Sequence, residues 1–245
     1  MLVTDLLRHN AEKFGGDTAL VAVDPVAFDP LEGSSYAACR STLTWQQFYE
    51  KTNQIANYYN SIGIGKGSKV SIILRNSLAW LPLYFGIIKA GAVVTPLNYR
   101  YNASEIAHSL NYTEADALIF DQRSSPQVQI ALEKTPRINS CIFVGENELC
   151  PDFALEYEQA FGPSPKHEPN NIIKAEDDVA IYFSSGTTGP PKAVLYTHST
   201  LATACAREVE NHGQTKNDCF ICIPPLYHVG AKLHWMGNLL VGAKA

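Results

Sequence analysis

Residues 179–197, VAIYFSSGTTGPPKAVLYT, place a run of glycine, serine and threonine between two apolar segments. The residues before the run, 179–184, are typical of a buried β-strand, and residues 193–197 are typical of a second strand. Glycine and proline favour a turn between them. A strand, a polar loop and a strand are therefore predicted here, and the rest of the chain is interpreted outward from this unit.

Helical and strand patterns alternate on both sides of this unit. The clearest helix is predicted over 44–62, where apolar residues recur at helical spacing and Thr44 with Gln47 forms a capping box. Further helices are predicted over 1–14, from 77–81, from Asn102, over 126–134 and from Ser199, and further strands over 69–74, 92–96, 117–121, 140–145 and 219–223. Residues 146–178, which contain four prolines, are predicted to form a long connection with one short helix at 152–161.

The predicted strands are almost continuously apolar, and helices separate most of them. This pattern favours an α/β fold with layered, mainly parallel sheets flanked by helices. Ligands in such folds bind at the carboxyl ends of the strands. The loop at 184–192 follows a strand, so we expect it to lie at a ligand-binding edge.

Composition excludes several classes of protein. The 245 residues are 46% hydrophobic and 18% charged, with a net charge of −5, and no run of lysine or arginine suggests nucleic-acid binding. The longest near-apolar run, 78–88, is too short to span a bilayer, and the amino end lacks a signal-peptide pattern. We therefore predict a cytoplasmic protein whose six cysteines are reduced and buried.

The loop carries the residue types that bind phosphate. Glycines allow the backbone to approach the phosphate oxygens, hydroxyls donate hydrogen bonds, and a lysine adds positive charge. The same residue types equally fit a polar surface turn. A Walker A loop is excluded, although the spacing from Gly186 to Lys192 fits, because Pro191 and Ala193 replace its second glycine and its Ser/Thr.

SSGTTGPPKAV, 184–194, closely resembles the signature loop of the adenylate-forming superfamily, which includes acyl-CoA and aryl-CoA synthetases, peptide-synthetase adenylation domains and luciferases. Ala193 stands where a glycine is usual in that family. Residues 63–101, 104–121 and 224–232 are similar to other segments of the family, with Ser68 where an aspartate is common. The resemblance extends over nearly the whole chain.

The resemblance implies ATP-dependent activation of a small carboxylic acid to an acyl-adenylate, followed by thioester formation with coenzyme A. ATP, Mg²⁺ and coenzyme A are the expected cofactors. Residues 92–101 resemble acyl-CoA synthetases and favour coenzyme A over the alternative acceptor, a carrier protein. A different alternative is a truncated, non-catalytic module that binds nucleotide.

The resemblance also implies roles for individual residues. Lys192, Thr187 and His228 are the expected catalytic residues, and Thr187 is also the expected neighbour of Mg²⁺. Tyr227, His228 and Gly230 are expected near the substrate carboxylate. His198 is interpreted with equal weight as a residue that orients the loop and as a structural histidine. The phosphates of ATP are expected to contact Ser184, Ser185, Gly186, Thr187, Thr188, Gly189 and Lys192.

Members of this family are substantially longer than 245 residues. They carry adenine and ribose motifs and a mobile carboxy-terminal domain with a catalytic lysine, none of which matches this sequence. We therefore expect residues 1–245 to form an incomplete N-terminal adenylation domain, inactive alone, with a sub-lobe boundary near 206–218. The identity of the acid and the formation of a homo-oligomer are left open.

Cys219-x-x-Cys222, followed by His228 and His234, raises the alternative of a zinc site. The gap between Cys222 and His228 is too short for a usual zinc finger. Residues three apart on a strand also point in opposite directions. A buried strand over 219–223 is therefore favoured over zinc, and also over a redox pair.

Overall fold

The computed structural model describes residues 2–23, 39–184 and 192–245, and within the last range it leaves out the side chains of residue 229 and residues 231–234. The strands are β1 (Thr18–Val23), β2 (Arg40–Thr44), β3 (Lys69–Ile73), β4 (Val93–Pro96), β5 (Ala117–Asp121), β6 (Ser140–Val144), β7 (Leu155–Glu156), β8 (Asp178–Ser184) and β9 (Lys192–Thr197). The helices are α1 (Val3–Phe14), α2 (Trp45–Ser61), α3 (Trp80–Lys89), α4 (Ala103–Thr113), α5 (Ser125–Leu132), α6 (Tyr157–Phe161), α7 (His198–His212) and α8 (Val229–Val241), and a 3₁₀ turn spans Asn147–Leu149.

Seven strands form the main sheet in the order β7-β6-β5-β3-β4-β8-β9. Every pairing from β7 to β8 is parallel, and β9 alone runs antiparallel to its neighbour β8. The predicted mainly parallel α/β sheet is therefore confirmed. The antiparallel direction of β9 follows from the short loop, since a parallel return needs a crossover of a dozen or more residues.

Helices cover both faces of this sheet. Alternate residues of the strands contribute to two apolar clusters, with Ile72 and Ile119 in one and Ile73 and Phe120 in the other. The first cluster includes residues of α1, α2, α3, α7 and α8, and the second includes residues of α4 and α5. Near-continuous burial of β3, β4 and β5 explains why their sequences lack the polar alternation of a half-exposed sheet.

The predicted helix over 44–62 is confirmed as α2, with Thr44 as its N-cap. The Gln47 amide N–H donates to Thr44 Oγ1 at 3.2 Å, and the Thr44 N–H donates to Gln47 Oε1 at 2.9 Å. The same reciprocal arrangement begins α4 at Asn102, as its sequence predicts. Local cap chemistry therefore determines both starts.

A second, small sheet forms from chain segments far apart in sequence. β1 and β2 pair antiparallel, and Ala245 exchanges backbone hydrogen bonds with β1 at Ala19 (2.9 Å) and Val21 (2.8 Å). Cys219 forms an isolated parallel bridge with Lys244 on the far side of that segment. The carboxyl end of the chain thus lies between β1 and Cys219.

The predicted buried strand over 219–223 is wrong. The structure has only the bridge at Cys219, and it exposes Ile221 and Ile223 by 72% and 82%. Within the described ranges, the only backbone pairing of this segment with another part of the chain is at Cys219 and Phe220, so nothing there covers the two isoleucines. Apolar composition indicated burial, and the tertiary arrangement does not supply it.

The long connection is more ordered than predicted. The predicted helix at 152–161 is shortened to α6, and β7 joins the edge of the main sheet directly before it. Among the six cysteines, all of which lie in the described ranges, Cys39 and Cys205 are buried but Cys219 is exposed, so their predicted burial is only partly correct. The boundary near 206–218 stays a prediction.

Among the helices of the described chain, none combines the length and apolar character that a membrane crossing requires. The cytoplasmic location stays a prediction, and the formation of a homo-oligomer stays open.

Candidate active site

The two residues that flank the glycine-rich loop, Ser184 and Lys192, form the mouth of the loop at the carboxyl end of β8. Ser184 ends β8 and pairs in register with Lys192, which begins β9. The Ser184 hydroxyl donates to the Lys192 carbonyl oxygen at 3.2 Å, which closes the hairpin at this point. Because β8 runs parallel to β4, the loop leaves the sheet at its carboxyl edge, as the sequence predicts.

The loop itself, residues 185–191, lies outside the described residues. Ser185, Gly186, Thr187, Thr188 and Gly189 fall within it. Their predicted contacts with phosphate stay predictions, as does the predicted Mg²⁺ contact of Thr187.

Asn76 brings a second segment to the same edge of the sheet. It follows β3, and its Nδ2 donates to the carbonyl oxygens of Cys222 at 3.1 Å and Pro224 at 3.0 Å. Its Oδ1 accepts from the Leu226 N–H at 2.8 Å. Since β3, β4 and β8 are neighbours, residues 222–226 lie along the edge from which the loop departs.

Tyr227 follows this held segment and packs against Tyr99, which comes shortly after β4. The two ring centroids are 5.5 Å apart in an edge-to-face arrangement. Burial raises the pKa of Tyr227, so its hydroxyl keeps its proton and can donate a hydrogen bond near neutral pH.

His228 is the N-cap of α8. Its Nδ1 accepts from the Gly230 N–H at 3.2 Å, which leaves Nε2 to carry the hydrogen in the neutral ring. The side chain is exposed, so Nε2–H is available to a ligand at the sheet edge. Gly230 contributes its N–H to the cap, and its predicted contact with substrate stays a prediction.

A cleft of about 780 Å³ opens beside Tyr99. Its polar lining includes Arg75, Asn76 and Asp121, and its apolar lining includes Leu78 and Pro225. Arg75 Nε donates to Asp121 Oδ2 at 3.2 Å, so the two charges largely compensate each other. This volume is within the range of small-molecule sites.

The sequence analysis missed Asn76, Tyr99 and Asp121 as parts of this edge. Asp121 ends β5, and the other two follow β3 and β4 by three residues. Polar residues at the carboxyl ends of apolar strands were the available signal. Their mutual position was not readable, because it depends on the order of the strands in the sheet.

His198 does not orient the loop. It follows β9 at the opposite end of the hairpin, where its N–H donates to the Asp177 carbonyl oxygen at 3.2 Å. The hairpin separates it from the loop by about 20 Å, the length of a six- or seven-residue strand. The side chain is 1% exposed, and burial lowers its pKa to about 4. The structural interpretation of His198 is therefore the correct one.

In the part of the chain that the structure describes, no three His, Cys, Asp or Glu side chains are grouped to hold a metal ion. Burial raises the pKa of the Cys222 thiol to about 11, which disfavours the thiolate that metal binding needs.

Known proteins share both the sequence pattern and the fold. The long-chain-fatty-acid–CoA ligase of Thermus thermophilus is 29% identical over 205 residues, covering 82% of this chain and 37% of the ligase. The 4-coumarate–CoA ligase 1 of Petroselinum crispum is 29% identical over 197 residues, covering 78% of this chain and 35% of that enzyme. The chain thus spans little more than a third of the length of these relatives.

Solved structures of similar fold cover the whole chain. The anthranilate CoA ligase AuaEII, solved with anthranoyl-AMP, matches with a TM-score of 0.87 and 24% identity, covering 100% of this chain and 44% of that one. The N-terminal domain of FACL13 from Mycobacterium tuberculosis, solved with an inhibitor, matches with a TM-score of 0.81 and 22% identity, covering 99% and 56%. The fold is therefore that of the N-terminal part of such ligases.

The model of the AMP-binding enzyme family matches residues 7–245, nearly the entire chain. This match agrees with the loop at the carboxyl end of β8 and with the ligases among the relatives. The chain belongs to the AMP-binding enzyme family.

Proposed function

We propose that the protein to which this chain belongs activates a carboxylic acid with ATP and transfers the acyl group to coenzyme A. The observation that carries the proposal is the juxtaposition at one sheet edge. The mouth of the glycine-rich loop, at Ser184 and Lys192, opens on the edge where Asn76 holds the segment leading to Tyr227 and His228. In this proposal, the phosphate site and the acid site share that edge.

In the proposed first step, a carboxylate oxygen of the acid attacks the α-phosphorus of ATP. The bond from that phosphorus to the bridging oxygen breaks, and pyrophosphate leaves with additional negative charge. Hydroxyl and N–H donors of the loop and the Lys192 ammonium would stabilise that charge where it develops, and a Mg²⁺ ion bound with ATP would supply further positive charge. Thr187 is proposed to lie next to the ion.

On the acid side, the proposed contacts are Tyr227 and His228. The protonated Tyr227 hydroxyl and the His228 Nε2–H can each donate a hydrogen bond to a carboxylate oxygen. Two donors bonded to one carboxylate oxygen would orient the acid and leave the other oxygen free to attack. Gly230 keeps this arrangement by holding His228 Nδ1 through its N–H.

In the proposed second step, the thiolate sulfur of coenzyme A attacks the acyl carbonyl carbon, the bond from that carbon to the phosphate oxygen breaks, and AMP leaves. Coenzyme A is preferred over a carrier protein because both relatives described above are named as CoA ligases. These relatives act on fatty and aromatic acids according to their names, so both classes are candidates for the acid.

Carboxylate-dependent exchange of pyrophosphate into ATP tests the proposal. The assay would compare the 245-residue chain with a longer polypeptide from the same reading frame, using a panel of fatty and aromatic acids. We expect exchange with one class of acid in the longer polypeptide only, because the adenine and ribose motifs expected for the family do not match these 245 residues. Folded protein that binds ATP without exchange would instead favour a non-catalytic nucleotide-binding role.

A further inference from the structure

Asn76 is exposed at the surface and makes three hydrogen bonds to a segment 146 to 150 residues away in sequence. The bonds reach Cys222, Pro224 and Leu226, which are alternate residues of one stretch of chain. This stretch connects the bridge at Cys219 to the N-cap of α8.

Within the described part of the chain, few other hydrogen bonds or buried side chains hold residues 222–226 in place. Pro224 and Pro225 lack an N–H, so neither can donate to a strand ladder. Ile223 and Pro224 are exposed, and Leu226 is the first residue there to be buried, at 5% exposure. The two carbonyls and the Leu226 N–H together match a partner that both donates and accepts.

An asparagine amide meets that requirement. Its two-hydrogen donor faces the two carbonyls, and its oxygen faces the single N–H. An aspartate of the same shape would keep the acceptor and place a negative oxygen against two carbonyl oxygens. The chemistry thus specifies an amide at this position and not simply a polar residue.

From these contacts we infer that Asn76 is a positioning residue, which holds Tyr227 and His228 at the acid side of the site. The last held group, the Leu226 N–H, is adjacent to Tyr227, and the His228 N–H closes the following turn on the Pro225 carbonyl at 2.9 Å. The inference rests on the proposed function, because the acid is the ligand that these two side chains would contact.

Asn57 offers a matched control. Its Nδ2 donates to the carbonyls of Pro165 (2.8 Å) and His167 (2.9 Å), so it holds a proline-containing segment in the same way. It lies on α2 and contacts the long connection after α6, away from the carboxyl edge of the sheet. Asn57→Asp therefore removes comparable bonds without touching the site.

The test measures pyrophosphate exchange in the wild type, Asn76→Asp and Asn57→Asp, using the polypeptide in which exchange is found. For Asn76→Asp we expect the KM for the acid to rise roughly tenfold, while the KM for ATP stays within about twofold. Asn57→Asp should leave both constants near wild type. Equal changes in both constants, or an unchanged KM for the acid, would overturn the positioning role.

Backbone hydrogen exchange of the 245-residue chain separates this inference from the proposed function. We expect Asn76→Asp to accelerate exchange at Leu226 and His228, and Asn57→Asp to leave those amides unchanged. Unchanged protection in Asn76→Asp would overturn the inference at its structural step. Absence of pyrophosphate exchange in the wild type would overturn the proposed function, and with it the acid as the ligand being positioned.

Discussion

The two ends of the β8–β9 hairpin carry similar residues in opposite environments. At the amino end of β8, His198 is buried and its pKa is lowered to about 4. At the carboxyl end, Ser184 and Lys192 are exposed, and the exposed His228 lies at the same edge of the sheet. Burial thus separates the structural histidine from the residues proposed to bind ligands, since histidine occurs in both environments.

Lys89 extends the comparison at the amino edge. It is 3% exposed, lies 3.1 Å from Glu168, and its ammonium sits 4.1 Å from the centre of the Tyr49 ring. Burial lowers its pKa to about 8. The Asn171 Nδ2 also donates to the Lys89 carbonyl oxygen at 2.8 Å. These contacts hold the long connection, residues 146–178, against the end of α3. The charges of Lys89 and Glu168 thus stabilise the fold at this edge, whereas Lys192 at the carboxyl edge is exposed.

The largest expected effect is the pH dependence of stability caused by His198. Its ring takes up a proton near pH 6.5 in the unfolded chain but only near pH 4 when folded. The folded state is therefore destabilised as the pH falls from 6.5 to 4, by about 1.4 kcal/mol per pH unit and roughly 3 kcal/mol in total. Urea unfolding at a series of pH values measures this.

His198→Gln is the matched variant, since it is polar but does not titrate. Its stability should be lower overall and should depend less steeply on pH between 6.5 and 4, while carboxylates such as Asp177 titrate in both proteins. Parallel stability curves for the two proteins would show that His198 is not buried as described.

The second effect concerns Lys192 at the opposite end of the hairpin. Lys192→Ala should raise the activation free energy of adenylate formation by about 1–3 kcal/mol, the range for a lost charge-assisted hydrogen bond. The melting temperature should not change, because the side chain is exposed. Pyrophosphate exchange and thermal unfolding, measured on the same polypeptide, separate the two effects.

Lys66→Ala is the control at the amino end, where Lys66 pairs with Asp177 at 2.7 Å and is likewise exposed. We expect its exchange rate to match that of the wild type. A loss of exchange as large as that of Lys192→Ala would abolish the functional distinction between the two ends.

A third comparison separates the two roles of His228. His228→Ala removes the N-cap of α8 and should cost about 1 kcal/mol of stability. His228→Asn restores a favourable cap, because asparagine is among the best N-cap residues, but it lacks the imidazole. We expect near wild-type stability in His228→Asn with reduced pyrophosphate exchange. Full exchange in that variant would assign His228 a capping role only.

The smallest expected effect is at the mouth of the hairpin. Ser184→Ala removes one exposed hydroxyl–carbonyl bond to Lys192 and should lower stability by about 0.5 kcal/mol. Thr197→Ala at the other end removes the N-cap of α7 and should cost about 1 kcal/mol. Chemical denaturation measures the free energy of unfolding of both variants. A larger loss in Ser184→Ala than in Thr197→Ala would contradict the conclusion that the amino end contributes more to stability.

Much of the fold was predictable because its signals are local. The capping boxes at Thr44 and Asn102 and the apolar runs of β3, β5 and β6 depend on neighbouring residues, and the structure confirms them. The prediction of a buried strand over 219–223 failed because burial depends on residues far away in sequence. Whether Ile221 and Ile223 are buried depends on what packs against them, which an apolar run does not record.

The alternation of strands and helices, the position of the loop directly after a strand and the family of that loop were all readable from the sequence. The tertiary structure alone decided which residues meet at the carboxyl edge, that Asn76 holds the segment before Tyr227, and that His198 lies at the far end of the hairpin. The difference follows from the sequence separation of the interacting residues. Caps and periodicity act over a few residues, whereas strand order and burial bring together groups separated by more than a hundred.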